Sequence, residues 1–193
     1  MRYLALTALL SLAAAAATTT HAHAQQDSAV ALDLLLQVDA LRLDGAQDAN
    51  LVDIEQVGNN NEADVLLRQR VAGSNRTRIA QRGDANYAQL LQTGDNNEVI
   101  LLQNGVGNEY RLDLSGSGND LTAVQNGNRN QLYQSLADSR GLRIEAVQNG
   151  DGNLIEHRAD GLVSKDIQVL QSGDNMRVLV NQSAAVAPTT GRN

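Results

Sequence analysis

The stretch that decides the fold is Gln81-Arg-Gly83-Asp-Ala-Asn86-Tyr-Ala88-Gln-Leu-Leu-Gln92, which reads Q-x-G-x-x-N-x-A-x-x-x-Q. Its Q-x-G-x-x-N core occurs five times in the chain, and a sixth copy keeps the Gln and the Gly. The copies begin at Gln56, Gln81, Gln103, Gln125, Gln148 and Gln171, in steps of 25, 22, 22, 23 and 23 residues. A fixed period in the twenties is typical of a solenoid, in which each repeat stacks only on its neighbours.

Alignment on this Gln gives six units of equal length, each with two halves around a short arc. Within each half, apolar or amide residues alternate with polar ones, as in Thr77, Ile79 and Gln81. Period-two alternation predicts a half-buried strand. We therefore predict an all-β fold, an amyloid-like β-solenoid of about six stacked strand–arc–strand repeats, roughly 29 Å tall at about 4.8 Å per rung. The predicted units are 50–67, 75–92, 97–114, 119–136, 142–159 and 165–182.

Stacking places equivalent residues of successive units in columns. An inward amide side chain carries donors and an acceptor, and in register it bonds to its copies above and below. An isolated buried amide would cost roughly 1–3 kcal/mol. Glycine two residues after each Gln permits positive φ in the arc. The predicted amide ladder is Gln56, Gln81, Gln103, Gln125, Gln148 and Gln171 with Asn61, Asn86, Asn108, Asn130 and Asn153, and the arc glycines are Gly58, Gly83, Gly105, Gly127, Gly150 and Gly173.

The repeat resembles that of the curlin family, the repeat proteins of bacterial curli amyloid. The family pattern is S-x5-Q-x-G-x2-N-x-A-x3-Q, and residues 75–92 match it except at the first position, where Asn75 stands for Ser. The second halves are degenerate, since the Ala position is kept only at Ala63 and Ala88 and the final Gln only at Gln92 and Gln182. The resemblance covers residues 50–182. It implies a structural subunit of extracellular curli fibres that supports cell adhesion and biofilm matrix.

The same resemblance implies the partners of such a subunit. These are further copies of the chain, a second curlin subunit, or both, and the curli-type outer-membrane export machinery. The irregular first step and the degenerate second halves favour the minor, nucleator-type subunit over the major one. Its last unit, in which Lys165 and Met176 interrupt the columns, would anchor the fibre to the cell. Two alternatives stay open: a monomeric secreted β-solenoid adhesin with capped ends, and a calcium-stabilised repeat protein.

The segments outside the repeats carry targeting signals. Residues 1–24 read as a secretory signal peptide, with Arg2, an apolar stretch and the cleavage motif Ala22-His23-Ala24, so we expect a secreted protein. Residues 25–49 are either an export-targeting segment, as the resemblance implies, or a degenerate capping strand. Residues 183–193 form a short loop-like tail without an obvious polar cap, which favours an open solenoid end.

Composition argues against several other functions. A net charge of −7 disfavours nucleic acid as a partner, and 2% aromatic residues are few for a conventional globular core. There is no Cys, so zinc sites of the usual kind lack their ligands. After signal removal His157 is the single histidine, and its inward position predicts a packed side chain rather than a catalyst. We expect no enzymatic activity, cofactor, metal or small-molecule substrate.

Two groups of charged residues leave alternatives open. The aspartates that follow glycines are either ordinary turn residues or charges that restrain premature aggregation. The arginines around the second unit form either a solvated face or a docking face for another subunit. These groups are Asp84, Asp95, Asp151 and Asp174, and Arg68, Arg70, Arg76, Arg78 and Arg82.

Overall fold

A computed structural model describes residues 50–68, 73–161 and 165–183 of the chain. The predicted signal peptide, the segment 25–49 and all of the tail after Ser183 lie outside the described residues. Every element in the described part is a strand, so the predicted all-β fold is confirmed. None of the described residues forms a helix that is long and apolar enough to cross a membrane.

Each of the six units supplies two strands, one on either side of its arc. The first strands of the units are β1 (Leu51–Val57), β3 (Arg76–Asp84), β5 (Glu98–Val106), β7 (Asp120–Asn126), β9 (Arg143–Asn149) and β11 (Asp166–Ser172). The second strands are β2 (Glu62–Arg68), β4 (Tyr87–Asp95), β6 (Glu109–Ser117), β8 (Gln131–Arg140), β10 (Leu154–Asp160) and β12 (Arg177–Ser183).

The strands form two parallel six-stranded sheets that face each other. Sheet A has the order β1-β3-β5-β7-β9-β11, and sheet B has the order β2-β4-β6-β8-β10-β12. Pairing joins equivalent positions of successive units, as in Gln81 with Gln103 and Ala88 with Tyr110. The fold is therefore the predicted parallel β-solenoid, with one rung per unit and a period of about 23 residues.

Several strands are longer than the seven residues predicted from the alternating pattern. Strands β3 to β6 have nine residues each, because the arcs (Gly83 with Gly105) and the connections between units (Gly94 with Gly116) also pair in register. Strand β8 has ten residues and contains the one register shift of its pairing with β6, between Leu114 and Gly116. Gly116 pairs with Ser139, so the longer connection is absorbed as a bulge and the rungs on either side stay aligned.

The core lies between the two sheets and is one side chain deep on each side. Its fully buried residues include Ile79, Leu101, Leu121 and Ile144 of sheet A. Tyr110 of sheet B, which stands where the family repeat has Ala, is also fully buried. The core is exposed at the first rung, where Val52 and Ile54, the equivalents of Thr77 and Ile79, are 40% and 41% exposed.

The arc glycines have two reasons to lack a side chain. All six have positive φ, from 103° at Gly83 to 127° at Gly173, a region that disfavours L side chains. In the first five, an added Cβ would also collide with the backbone carbonyl of the glycine in the next rung. Gly173 differs, because a Cβ there would meet only the Met176 side chain.

Candidate functional site: stacked amide columns

The six glutamines at the ends of the sheet A strands form one continuous hydrogen-bonded column. Each Nε2 donates to the Oε1 of the glutamine in the following rung. The donor–acceptor distances are 2.6 Å from Gln56 to Gln81, and 2.8, 2.7, 2.9 and 2.9 Å along the rest of the column to Gln171. Except for Gln56 in the first rung, every member is fully buried.

The same glutamines connect the two sheets. From Gln81 onward, Nε2 also donates to a backbone carbonyl in sheet B, such as Gln103 to Tyr87 O at 3.0 Å and Gln148 to Gln131 O at 2.9 Å. Both N–H groups of an interior amide are therefore used, one along the column and one across the core. Each buried glutamine fixes the register of its strand and the position of the facing sheet together.

The asparagines of the arcs form a second column with the opposite donor direction. The backbone N–H of each later residue donates to the Oδ1 of the asparagine before it, as in Asn108 N to Asn86 Oδ1 at 3.1 Å. Each Nδ2 donates forward to a glycine carbonyl in the next arc, as in Asn108 to Gly127 O at 2.8 Å. The column comprises Asn61, Asn86, Asn108, Asn130 and Asn153, and ends where Met176 supplies only its backbone N–H.

A third amide column, which is not among the predicted ladders, runs along the connections between units. Asn50, Asn75, Asn97 and Asn119 repeat the arc pattern, with distances such as 3.1 Å from Asn97 N to Asn75 Oδ1. Their recurrence at the first position of the first four units was the signal for it. The column stops where the backbone N–H of Leu142 donates to Asn119 Oδ1 at 3.0 Å.

The three columns make the two described ends of the solenoid unequal. The first rung presents Gln56, Asn61 and Asn50, one amide for each column. In the last rung only Gln171 continues its column, because Met176 and Lys165 occupy the two asparagine positions. A chain stacked on the first rung can therefore extend three amide columns, whereas a chain stacked on the last rung can extend only one.

This geometry agrees with the comparison with known protein families. The family model of the curlin associated repeat matches residues 73–105, which include Gln81, Gly83 and Asn86. These residues therefore match a curlin associated repeat. The resemblance to the curlin family is thereby confirmed, and the repeat together with the solenoid indicates a curli-related structural protein. A search of curated proteins found no match.

The final Gln position of the curlin repeat does not form a column here. Gln92 pairs in register with Leu67 and Leu114, neither of which can bond to an amide. Its Oε1 accepts a hydrogen bond across the core from Thr77 Oγ1 at 2.6 Å, but its buried Nε2 has no partner. This position therefore leaves a buried donor unpaired and is not part of a ladder.

A second group of polar side chains lies within the core of sheet B. Tyr110 donates its hydroxyl to Gln134 Oε1 at 2.7 Å, and burial raises the pKa of Tyr110. His157, next to Gln134 in register, is 1% exposed, and neither ring nitrogen has a hydrogen-bond partner. Burial lowers the pKa of His157, and the nearby side chain of Gln182 opposes the shift. An isolated buried imidazole offers no catalytic arrangement.

The charged residues of the arcs and of β3 contribute to stacking. Asp84 Oδ1 accepts a hydrogen bond at 2.7 Å from the backbone N–H of Asn59 in the rung before it. Aspartate side chains commonly bond to backbone N–H groups in turns, and here the bond joins the turns of two successive rungs. On the outer face of sheet A, Nε of Arg78 lies 3.3 Å from Oδ2 of Asp53. Such exposed pairs contribute at most about 1 kcal/mol each.

The outer face of sheet B carries an aromatic and cationic stack. The guanidinium carbon of Arg111 lies 5.6 Å from the ring centroid of Tyr87 and 5.9 Å from that of Tyr133. Its Nε lies 2.7 Å from Oε1 of Glu109. Partial burial, together with the hydrogen bond to Glu109, raises the pKa of Tyr133 to about 12. In the described part of the chain, no group of three or more His, Cys, Asp or Glu side chains is placed to hold a metal ion.

Proposed function

We propose that this chain is a structural subunit of extracellular curli-type functional amyloid fibres, which support cell adhesion and the biofilm matrix. The observation that carries the proposal is the unbroken glutamine column. It is self-complementary, Gln56 is exposed at the first rung, and parallel in-register stacking of identical side chains is a property of cross-β structure. A further solenoid placed in register on the first rung would extend the column by the same bond that joins every other rung.

Within such a fibre, the unequal ends favour the minor, nucleator-type subunit. The first rung offers all three columns to a second curlin whose own amide positions are complete. The last rung, with Lys165 and Met176, is a poor template for further addition. The first rung would therefore face the growing fibre and the last rung the cell. Secretion by a signal peptide and passage through curli-type export machinery belong to the same proposal, as does the absence of enzymatic activity.

The test is thioflavin-T fluorescence of the chain from Gln25 onward, freshly diluted from denaturant. We expect a lag followed by growth, and a longer lag with a lower plateau for the double variant Gln81→Ala plus Gln103→Ala, because two adjacent members of the column are lost. Gln89→Ala plus Gln168→Ala is the matched control, since both side chains are exposed. A soluble β-rich protein without signal over days would refute the fibre function and favour the capped adhesin.

The nucleator role needs a separate assay. Addition of the chain at substoichiometric amounts to a major curlin should abolish the lag of the major curlin. Ile54→Lys places a charge in the exposed side of the first rung and should remove this seeding, whereas Val180→Lys in the last rung should leave most of it. Equal loss in both variants would contradict the assigned direction. Folding that requires calcium, detected by addition of a chelator, would instead support the calcium-stabilised alternative.

A further inference from the structure

The outer face of sheet B carries a groove that runs parallel to the solenoid axis. It lies between two columns of outward side chains in the first five rungs, one column from Asp64 to Glu156 and the other from Leu66 to Arg158. Its volume is about 620 Å³, within the range of about 300–1,000 Å³ that is usual for small-molecule sites. Alternate residues of a strand lie about 7 Å apart, and four rung spacings span about 19 Å, so the groove is long and narrow.

The half of the groove in rungs one to three combines apolar surface with carboxylates. Leu66 and Leu91 are successive members of one column, and Leu66 is 46% exposed. Asp64 lies across the groove in the first rung, and Asp113 follows Leu91 in the third. Both aspartates are exposed, and within the described residues neither forms an ion pair. This half therefore offers apolar contact and uncompensated negative charge.

The other half of the groove is aromatic and more nearly balanced in charge. Tyr133 contributes its ring, and the neighbouring charges of Arg111 and Glu156 are neutralised by Glu109 at 2.7 Å and by a distal arginine at 3.3 Å. Arg158, which has no ion-pair partner in the described part of the chain, lies two rungs, or about 10 Å, beyond Asp113. The groove is thus negative toward the first rung and positive at its far end.

We propose that this groove binds an elongated planar aromatic cation. The long axis of the ligand lies along the solenoid, and its positive charge lies beside Asp64 and Asp113. The narrow width favours a flat ring system, and the leucines and Tyr133 supply apolar contacts for it. An extended peptide fits less well, because the backbone groups of β4, β6 and β8 already pair with strands on both sides. The groove is formed within one chain, so this binding does not depend on the proposed fibre function.

Thioflavin T, a cation of this shape, is the probe for a dialysis experiment. The chain from Gln25 is used as fibre or as β-rich monomer, and circular dichroism verifies the fold of each variant. Asp64→Lys and Asp113→Lys should each raise the dissociation constant about threefold or more, since each replaces an attractive charge by a repulsive one. Asp160→Lys makes the same charge change on the same face outside the groove, and should have a smaller effect. Equal affinities for the wild type and both groove variants would overturn the proposal, as would an equal loss in Asp160→Lys.

A second pair of variants and a second dye test the apolar contact and the sign of the ligand charge. Leu91→Ser should weaken thioflavin-T binding, whereas Val106→Ser, a change at a 48% exposed arc residue, should not. Congo red, an elongated aromatic dianion, should bind more tightly to Asp113→Lys than to the wild type. Tighter binding of Congo red to the wild type than of thioflavin T would overturn the preference for a cation. Fibres that form normally but bind the dye equally well in every groove variant would refute the groove and leave the fibre function intact.

Discussion

Replacement of Gln103 by alanine should destabilise the solenoid more than any exposed glutamine change. Gln103 is fully buried at the centre of its column. It accepts from Gln81 Nε2 at 2.8 Å and donates to Gln125 Oε1 at 2.7 Å and to Tyr87 O at 3.0 Å. Alanine would leave the two neighbouring amides with one buried, unpaired group each. At about 1–3 kcal/mol per group, we expect a loss of roughly 2–6 kcal/mol, with the cavity adding to it.

The assay is the denaturant midpoint of the β-sheet circular dichroism signal, at fixed protein concentration and in one assembly state. Gln89→Ala on the exposed face of β4 is the control and should change the free energy of unfolding by no more than about 0.5 kcal/mol. Gln171→Ala, at the last described rung, removes the acceptor of one amide only and should have about half the effect of the central change. A Gln103→Ala midpoint equal to that of Gln89→Ala would refute the energetic role of the column.

Gln103→Glu separates hydrogen bonding from volume. A neutral carboxylic acid retains one acceptor toward Gln81 and one O–H donor toward Gln125, whereas a carboxylate has no donor and carries a buried charge. Burial raises a carboxyl pKa above the ordinary value of about 4.3, so the acid form should persist to higher pH. Well below that raised pKa we expect a loss of only about 1–3 kcal/mol, because the single O–H cannot also donate to Tyr87 O, and at neutral pH a further steep loss of stability. Stability that does not depend on pH would show that the site admits water.

Three further changes test other parts of the core. Gly105→Ala should lower the free energy of unfolding by more than about 4 kcal/mol, because it combines positive φ with a backbone collision. Gly173→Ala should lower it only by the conformational strain of about 1–3 kcal/mol. Denaturant midpoints compare the two variants, and equal losses would contradict the collision. Thr77→Val with Gln92→Leu replaces a buried polar pair that has an unpaired amide, and should raise the free energy of unfolding by about 1–3 kcal/mol, more than Gln92→Leu alone. Because burial lowers the pKa of His157 in the folded chain, the unfolded chain binds this proton first as pH falls. The stability that this residue contributes is therefore complete above about pH 6.5. Below that pH it declines by up to about 1.4 kcal/mol per pH unit, down to the folded pKa. His157→Leu should remove that part of the pH dependence, and an unchanged profile would show that the imidazole is hydrated.

The strands and the register of sheet A could be predicted because their signals are local and repeated. Alternation fixes which side chains face inward, and the spacing of Gln81, Gln103 and Gln125 fixes which rungs align. The extension of β3 and β5 into the arcs and of β4 and β6 into the connections was missed, since seven-residue halves reflect side-chain alternation and carry no information on the pairing of the turns. The bulge before Ser139 was missed for the same reason.

The less regular features depend on contacts that the repeat does not encode. Ile100 and Leu102 are buried on an outward face, where alternation alone predicts exposed side chains. The bond from Thr77 to Gln92 joins two positions that deviate from their columns, and a deviation has no pattern from which to predict it. The ladder role of Asn75 and its equivalents was available from spacing, but its direction, with the backbone donating backward, follows from the geometry of the turn.

The distribution of column breaks gives the chain a direction. A slip of one residue would turn every Gln of a strand from the core to the outer face, so a single unbroken Gln column is enough to hold the register of all six rungs. Sheet B can therefore vary at its Ala and Gln positions, as Tyr110 and Leu114 show, without loss of alignment. The breaks in the asparagine columns, at Leu142, Lys165 and Met176, all fall in the last two units. Stability is thus maintained along the whole solenoid by the Gln column, whereas the capacity to template another chain is concentrated at the first rung.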